Sequence, residues 1–92
     1  MQKVIIKYCT QCNWLLRSSW MAQELLTTFK EELTELSLQP GNGGIFEIYA
    51  NETKIWDRKE NNGFPQITEL KKLVRNVIAP EKNLGHIDRK KN

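Results

Sequence analysis

Lys3-Val4-Ile5-Ile6-Lys7-Tyr8-Cys9-Thr10-Gln11-Cys12-Asn13-Trp14-Leu15 is the stretch on which the fold turns. Its first six residues are β-branched and aromatic with partial alternation, the pattern of a strand that shows Val4, Ile6 and Tyr8 to one face. From Asn13 to Glu35 there is no Gly or Pro, and Leu15, Ala22, Leu25, Leu26, Phe29 and Leu33 recur at helical spacing. A long amphipathic helix therefore follows the strand directly. Cys9 and Cys12 sit where one gives way to the other, with Cys12 expected in or near the helix's opening turn.

Downstream, Leu36-Ser37-Leu38 reads as a brief second strand, cut off by the loop Pro40-Gly41-Asn42-Gly43-Gly44. Ile45 to Ala50, a turn at Asn51-Glu52, and Lys54 to Arg58 form a β-hairpin. Phe64-Pro65 then leads into Ile67, Leu70, Leu73, Val74, Val77 and Ile78 at helical spacing, with Pro80 as the stop. The order β-α-β-β-β-α predicts an α/β domain. Its β-α-β unit makes two strands parallel, and the hairpin completes a four-stranded mixed sheet with two helices on one face. Val4, Ile6, Phe46, Ile48 and Ala50 would face the helices, while Lys3, Ile5, Lys7, Ile45, Glu47 and Tyr49 would line an open face. That open face mixes apolar and charged groups in the manner of transient interfaces, and weak homodimer formation through it is expected.

At 92 residues the chain has room for one core. A content of 39% hydrophobic and 27% charged residues, with only 5 Gly and 3 Pro, excludes collagen-like and low-complexity classes. No apolar run is long enough to span a bilayer, and the start of the chain does not have the form of a signal peptide, so no membrane association and a cytoplasmic location are expected. The net charge of +3 is concentrated at the C-terminus, where Lys82, Arg89, Lys90 and Lys91 outnumber Glu81 and Asp88. Residues 1–80 read as the domain and 81–92 as a basic, flexible tail. With no aromatic residue in that tail, no nucleic-acid partner is expected.

The two cysteines carry the chemistry. Residues three apart at the mouth of a helix lie about 5–6 Å apart at Cβ, within a small adjustment of a disulfide. Nearby N–H groups and the positive end of the helix dipole favour thiolate, the attacking species. Once one sulfur forms a mixed disulfide, the other can resolve it. A structural disulfide would close too short a loop to stabilise much. A zinc site would need four ligands, and the sole histidine, His86, lies in the tail, so no metal and no cofactor are expected. Gly41, Gly43 and Gly44 match no phosphate-binding fingerprint. If the second strand pairs beside the first and the hairpin begins on its other side, the glycine loop must cross the first strand's C-terminal end, beside Cys9. Thr10, Gln11, Trp14, Gly43 and Gly44 are then candidate substrate contacts.

Four segments together extend this reading. Tyr8-Cys9-x-x-Cys12-x-Trp14, Pro40-Gly41-x-Gly43-Gly44-x-Phe46-Glu47, Ile55-Trp56-Asp57-Arg58, and Gly63-Phe64-Pro65 with Glu69-Leu70-Lys71 and Arg75 resemble the bacterial, cysteine-containing branch of the selenoprotein W/T/H (Rdx) family. The resemblance runs from residue 3 to 79. It implies a thioredoxin-like fold, a redox role, and glutathione or thiol-containing proteins as partners, and it adds Phe64 to the candidate substrate contacts. In selenocysteine-containing members the selenium occupies the position of Cys12, which implies Cys12 as attacking atom and Cys9 as its partner; ordinary thioredoxin motifs run the other way. Two classes of function stand: a thiol–disulfide oxidoreductase, with glutathione or thioredoxin as its expected supply of electrons, and a non-catalytic redox-sensing or protein-binding domain.

Overall fold

The structure, a computed structural model, describes residues 1–89. Its elements are β1 (Lys3–Cys9), α1 (Leu15–Thr28), β2 (Glu35–Gly41), β3 (Phe46–Ala50), β4 (Thr53–Asp57), α2 (Arg58–Asn61), α3 (Ile67–Ile78) and α4 (His86–Arg89). The strands form one mixed sheet in the order β2-β1-β3-β4. β1 runs parallel to β2, from Lys3 opposite Glu35 to Cys9 opposite Gly41, and antiparallel to β3, from Val4 opposite Ala50 to Tyr8 opposite Phe46. Alternation along the strands sends Val4, Ile6, Tyr8, Phe46, Ile48 and Ala50 to the helix side. There they pack with Met21, Leu25 and Phe29 after β1, and with Leu70, Val74 and Ile78 of α3. Lys3, Ile5, Lys7, Glu47 and Tyr49 stay half-exposed on the opposite face, so both main helices cover the same side of the sheet.

Three boundaries differ from the sequence reading, each for a local reason. The first helix ends at Thr28 instead of near Glu35. Phe29 and Leu33 keep the helical spacing and are buried, but the Leu33 and Glu32 N–H groups both donate to the Phe29 carbonyl, closing the chain into a turn. Thr34 then donates its N–H (2.8 Å) and hydroxyl (2.7 Å) to the Gln2 carbonyl, starting β2 beside β1. β2 in turn runs through Pro40 to Gly41, beyond the expected Leu38. It is an edge strand, so Pro40's missing N–H costs no ladder bond. The third difference is α2, a single turn unforeseen after the hairpin. Asp57 caps it, accepting from the Lys59 N–H at 3.0 Å and the Glu60 N–H at 3.4 Å. Asp57-Arg58-Lys59-Glu60 has the acidic-x-x-Glu form of a capping box, a signal present in the sequence.

The chain beyond Pro80, expected as a solvated tail from residue 81, is tied back to the domain as far as it is described. Arg75 forks onto the Asp88 carboxylate with contacts of 2.6 and 2.8 Å and also donates to the Lys82 carbonyl at 2.8 Å. Leu84 packs against the core, and Lys82 meets Glu32 at 3.1 Å. The paired guanidinium, with the Leu84 N–H, holds the Asp88 carboxyl down to about 2. Residues 90–92, the rest of the expected tail, lie outside the described residues.

Candidate redox site

β1 delivers Cys9 to the sheet's C-terminal edge, where it is 1% exposed. Thr10 to Asn13 then form a tight turn in which the Asn13 N–H donates to the Thr10 carbonyl at 3.1 Å. Asn13 has φ +62°, a left-handed conformation that asparagine tolerates and that a continuing helix could not contain. The helix therefore begins only at Leu15, with Trp14 as its N-cap residue. Cys12 accordingly lies three residues before the helix, near its opening turn but not within it. The turn folds the half-buried Cys12 back over Cys9, so that its thiol donates to the Cys9 sulfur across 2.6 Å, both residues being free cysteines.

The glycine loop lies alongside. Gly41, at the end of β2, accepts from the Thr10 N–H at 3.1 Å and the Thr10 hydroxyl at 3.3 Å. Gly43 and Gly44 have φ of +71° and +76°, and this left-handed pair turns the Gly44 N–H toward the sulfurs. The loop thus crosses the C-terminal end of β1, as the strand order requires.

These contacts divide the acidity between the two thiols. Cys9 falls below its ordinary pKa, chiefly through the Cys12 thiol donating to it and further through the N–H groups of Gly44, Cys12 and Gln11. Cys12 rises, chiefly because its proton is held by Cys9 and further by desolvation, while the Arg58 charge and the Gly44 N–H oppose the rise. The more acidic sulfur is thus Cys9, chiefly because the Cys12 thiol donates to it, and not Cys12 as the helix dipole would favour. Cys12 is the more accessible one.

Three aromatic rings wall the site. Trp14 meets Phe64 edge-on at 5.0 Å and Phe46 at 6.4 Å, and Phe46 meets Phe64 at 4.8 Å. Two guanidiniums stack on this cluster, Arg17 at 4.1 Å from the Phe64 ring and Arg58 at 4.8 Å from the Trp14 ring. On the other side of the turn, Tyr8, Thr10, Asn13, Leu15 and Leu16 line a cavity of about 370 Å³. Of the candidate contacts, Thr10 and Gln11 lie in the turn between the cysteines, Gly44 turns its N–H to the sulfurs with Gly43 before it in the loop, and Phe64 is joined to the motif through Trp14; Thr10, Gln11 and Gly43 are exposed. Sequence reasoning missed Arg17 and Arg58, whose positions follow from tertiary packing on the rings. Of the other tryptophans, Trp56 is buried and donates its indole N–H to the Gly63 carbonyl at 2.9 Å, while Trp20 is exposed. Among the described residues no three His, Cys, Asp or Glu side chains cluster as metal ligands, and no helix is long and apolar enough to cross a membrane.

A central parallel strand ending in Cys-x-x-Cys, a crossover helix and an antiparallel hairpin define a thioredoxin-like protein. Residues 3–76 match the sequence model of the Rdx family, and the chain belongs to that family, whose members are associated with redox chemistry. The crystal structure of a selenoprotein W-related protein from Vibrio cholerae is similar, with 51% sequence identity and a TM-score of 0.82 over 84% of this chain and 96% of that one. A Bordetella parapertussis structure gives 52% identity and a TM-score of 0.79 over 82% and 95% of the two chains. Mouse Migration and invasion enhancer 1 is 28% identical over 80 residues, which are 85% of this chain. The chain spans 66% of that mouse relative's length.

Proposed function

We propose that this protein is a thiol–disulfide oxidoreductase in which Cys12 attacks and Cys9 resolves. The observation that carries the reading is the 2.6 Å contact between a stabilised, 1% exposed sulfur and a more exposed one. Cys9 is too enclosed to reach a bulky disulfide, so its thiolate acts first as proton acceptor for Cys12. The Cys12 thiolate attacks one sulfur of a substrate disulfide, forming a mixed disulfide and expelling the other half as a thiolate. That thiolate takes up the proton. Cys9, deprotonated again with the help of the Gly44, Cys12 and Gln11 N–H groups, attacks the Cys12 sulfur and expels the second substrate thiol. The substrate gains two electrons and two protons, one from the Cys12 thiol and one from solvent that neutralises the last departing thiolate, and the protein is left with a Cys9–Cys12 disulfide. Two thiol equivalents from glutathione or a thioredoxin-type dithiol restore it. This cycle fits a reducing compartment such as the cytoplasm.

Cys9→Ser protein incubated with glutathione disulfide should accumulate a mixed disulfide on Cys12, visible as a mass increase, whereas wild type should pass through it to the internal disulfide. Continuous turnover with a thiol donor is expected. One oxidation without cycling would identify a redox-sensing or binding domain instead.

A further inference from the structure

Two charged groups beside the site have no role in the exchange cycle as written. We propose that Arg17 and Arg58 form an anion-recognising pair that selects disulfide substrates carrying a carboxylate near the reacting sulfur. The proposal rests on the oxidoreductase reading and names the substrate class for it.

Both guanidiniums are held against the aromatic wall next to the cysteines. Arg17, exposed in the first turn of α1, lies 4.1 Å over Phe64; Arg58, which opens α2, lies 4.8 Å over Trp14 and 5.9 Å from Phe64. Trp14 is two residues from Cys12, and the Arg58 charge acts on the Cys12 thiol, opposing the rise in its pKa. Stacking leaves the guanidinium edges, with their forked donors, for a ligand.

Among the described residues neither charge is paired with a carboxylate. Among the described residues the ion pairs are Lys54 with Asp57 and Glu60, Lys71 with Glu24, Arg75 with Asp88, and Lys82 with Glu32. The carboxylates nearest Arg58 in sequence are therefore engaged: Asp57 caps α2 while pairing with Lys54, and Glu60 meets the same lysine at 3.6 Å. Arg75 shows the contrasting arrangement, saturated by a bidentate carboxylate. In addition, Arg58 Nε is shielded from solvent without a hydrogen-bond partner. Partial removal of water from a cation strengthens its field. The Lys59 ammonium, 3.4 Å from the Gly43 carbonyl, adds a third positive group at the loop. Against these cations stand the attacking thiolate and the Asp57 and Glu60 carboxylates already engaged with Lys54, so a disulfide bearing ammonium groups meets repulsion where one bearing carboxylates meets two forks.

The test uses three small disulfides of different charge: 3,3′-dithiodipropionate with two carboxylates, neutral hydroxyethyl disulfide, and cystamine with two ammonium groups. Reduced protein is mixed with each in excess, and formation of the Cys9–Cys12 disulfide is followed by mass. Rates are divided by those of dithiothreitol with the same disulfides, which removes intrinsic reactivity. The dicarboxylate should lead cystamine by roughly five- to tenfold at low salt, and the gap should narrow at high salt. Arg17→Gln and Arg58→Gln should each reduce the gap, and the double variant should bring it within about twofold. Lys30→Gln, an exposed lysine beyond the far end of α1, should leave it unchanged. Arg17→Gln alters an exposed side chain and keeps the test valid if Arg58→Gln fails to fold. Relative rates independent of charge, or a preference that survives the double variant, would overturn the arginine pair alone. Folded, reduced protein inert to all three would overturn the oxidoreductase reading and this inference with it.

Discussion

Phe64→Leu separates the aromatic geometry of the site from simple apolar burial. Leucine keeps an apolar side chain on the half-buried position but cannot present a ring edge or face. The substitution removes two edge-to-face contacts, at 5.0 Å to Trp14 and 4.8 Å to Phe46, and the face on which Arg17 stacks at 4.1 Å. Each aromatic pair contributes about 0.5–1.5 kcal/mol beyond area, and an exposed cation–π contact about 0.5–1 kcal/mol. A loss of about 2–3 kcal/mol in unfolding free energy is expected. For a domain of this size that lowers Tm by about 8–24 °C. Urea denaturation followed by Trp fluorescence measures it, and a double-mutant cycle with Arg17→Gln should give a coupling of about 0.5–1 kcal/mol. A loss below about 0.5 kcal/mol with zero coupling would mean that the three rings are merely adjacent and that Arg17 is not anchored.

Cys12→Ala removes the leading stabiliser of the Cys9 thiolate, so the pH midpoint for Cys9 alkylation should rise relative to wild type; Cys9→Ala should lower that of Cys12, and pH-dependent iodoacetamide rates read both. Asp88→Asn should destabilise the docked segment 81–89 at neutral pH. The Asp88 carboxyl is depressed to about 2, so its contribution is fully present above the ordinary carboxylate pKa of ~3.9 and is lost as pH falls through about 2. The difference in melting temperature between wild type and Asp88→Asn should therefore close between those two values. The open sheet face, where Lys7 lies 4.9 Å from the Tyr49 ring, should support weak self-association that Tyr49→Lys abolishes in sedimentation velocity.

Periodicity made the layers legible because burial follows side-chain direction. Strand alternation at Val4, Ile6 and Tyr8 and helical spacing at Leu70, Val74 and Ile78 each name a buried face, and those faces meet in the core. Boundaries were less legible because apolar spacing outlasts the helix. Phe29 and Leu33 are buried whether they continue α1 or close the turn after it, so their pattern is the same in both cases. Pro40 was read as a breaker, yet its position on an edge strand, visible only once β2 has one neighbour, removes the objection. From sequence Asp88 reads as part of a basic, flexible tail, because its partner Arg75 lies thirteen residues away on another element.

At the site, the position of the cysteines was legible and the division of acidity between them was not. With β1 between β2 and β3, the chain leaving β2 must pass the C-terminal end of β1 to begin β3. That topology brings the Gly44 N–H to Cys9 from thirty-five residues away. The second determinant is one residue's backbone: Asn13, at φ +62°, breaks the path between the motif and α1 and turns Cys12 back onto Cys9. Had the helix begun at Asn13, its first N–H groups would have served Cys12, and the more exposed sulfur would also have been the more acidic. As folded, the enclosed sulfur is the more acidic and the accessible one the less. In the proposed cycle, attack by Cys12 begins with a proton crossing the 2.6 Å to Cys9.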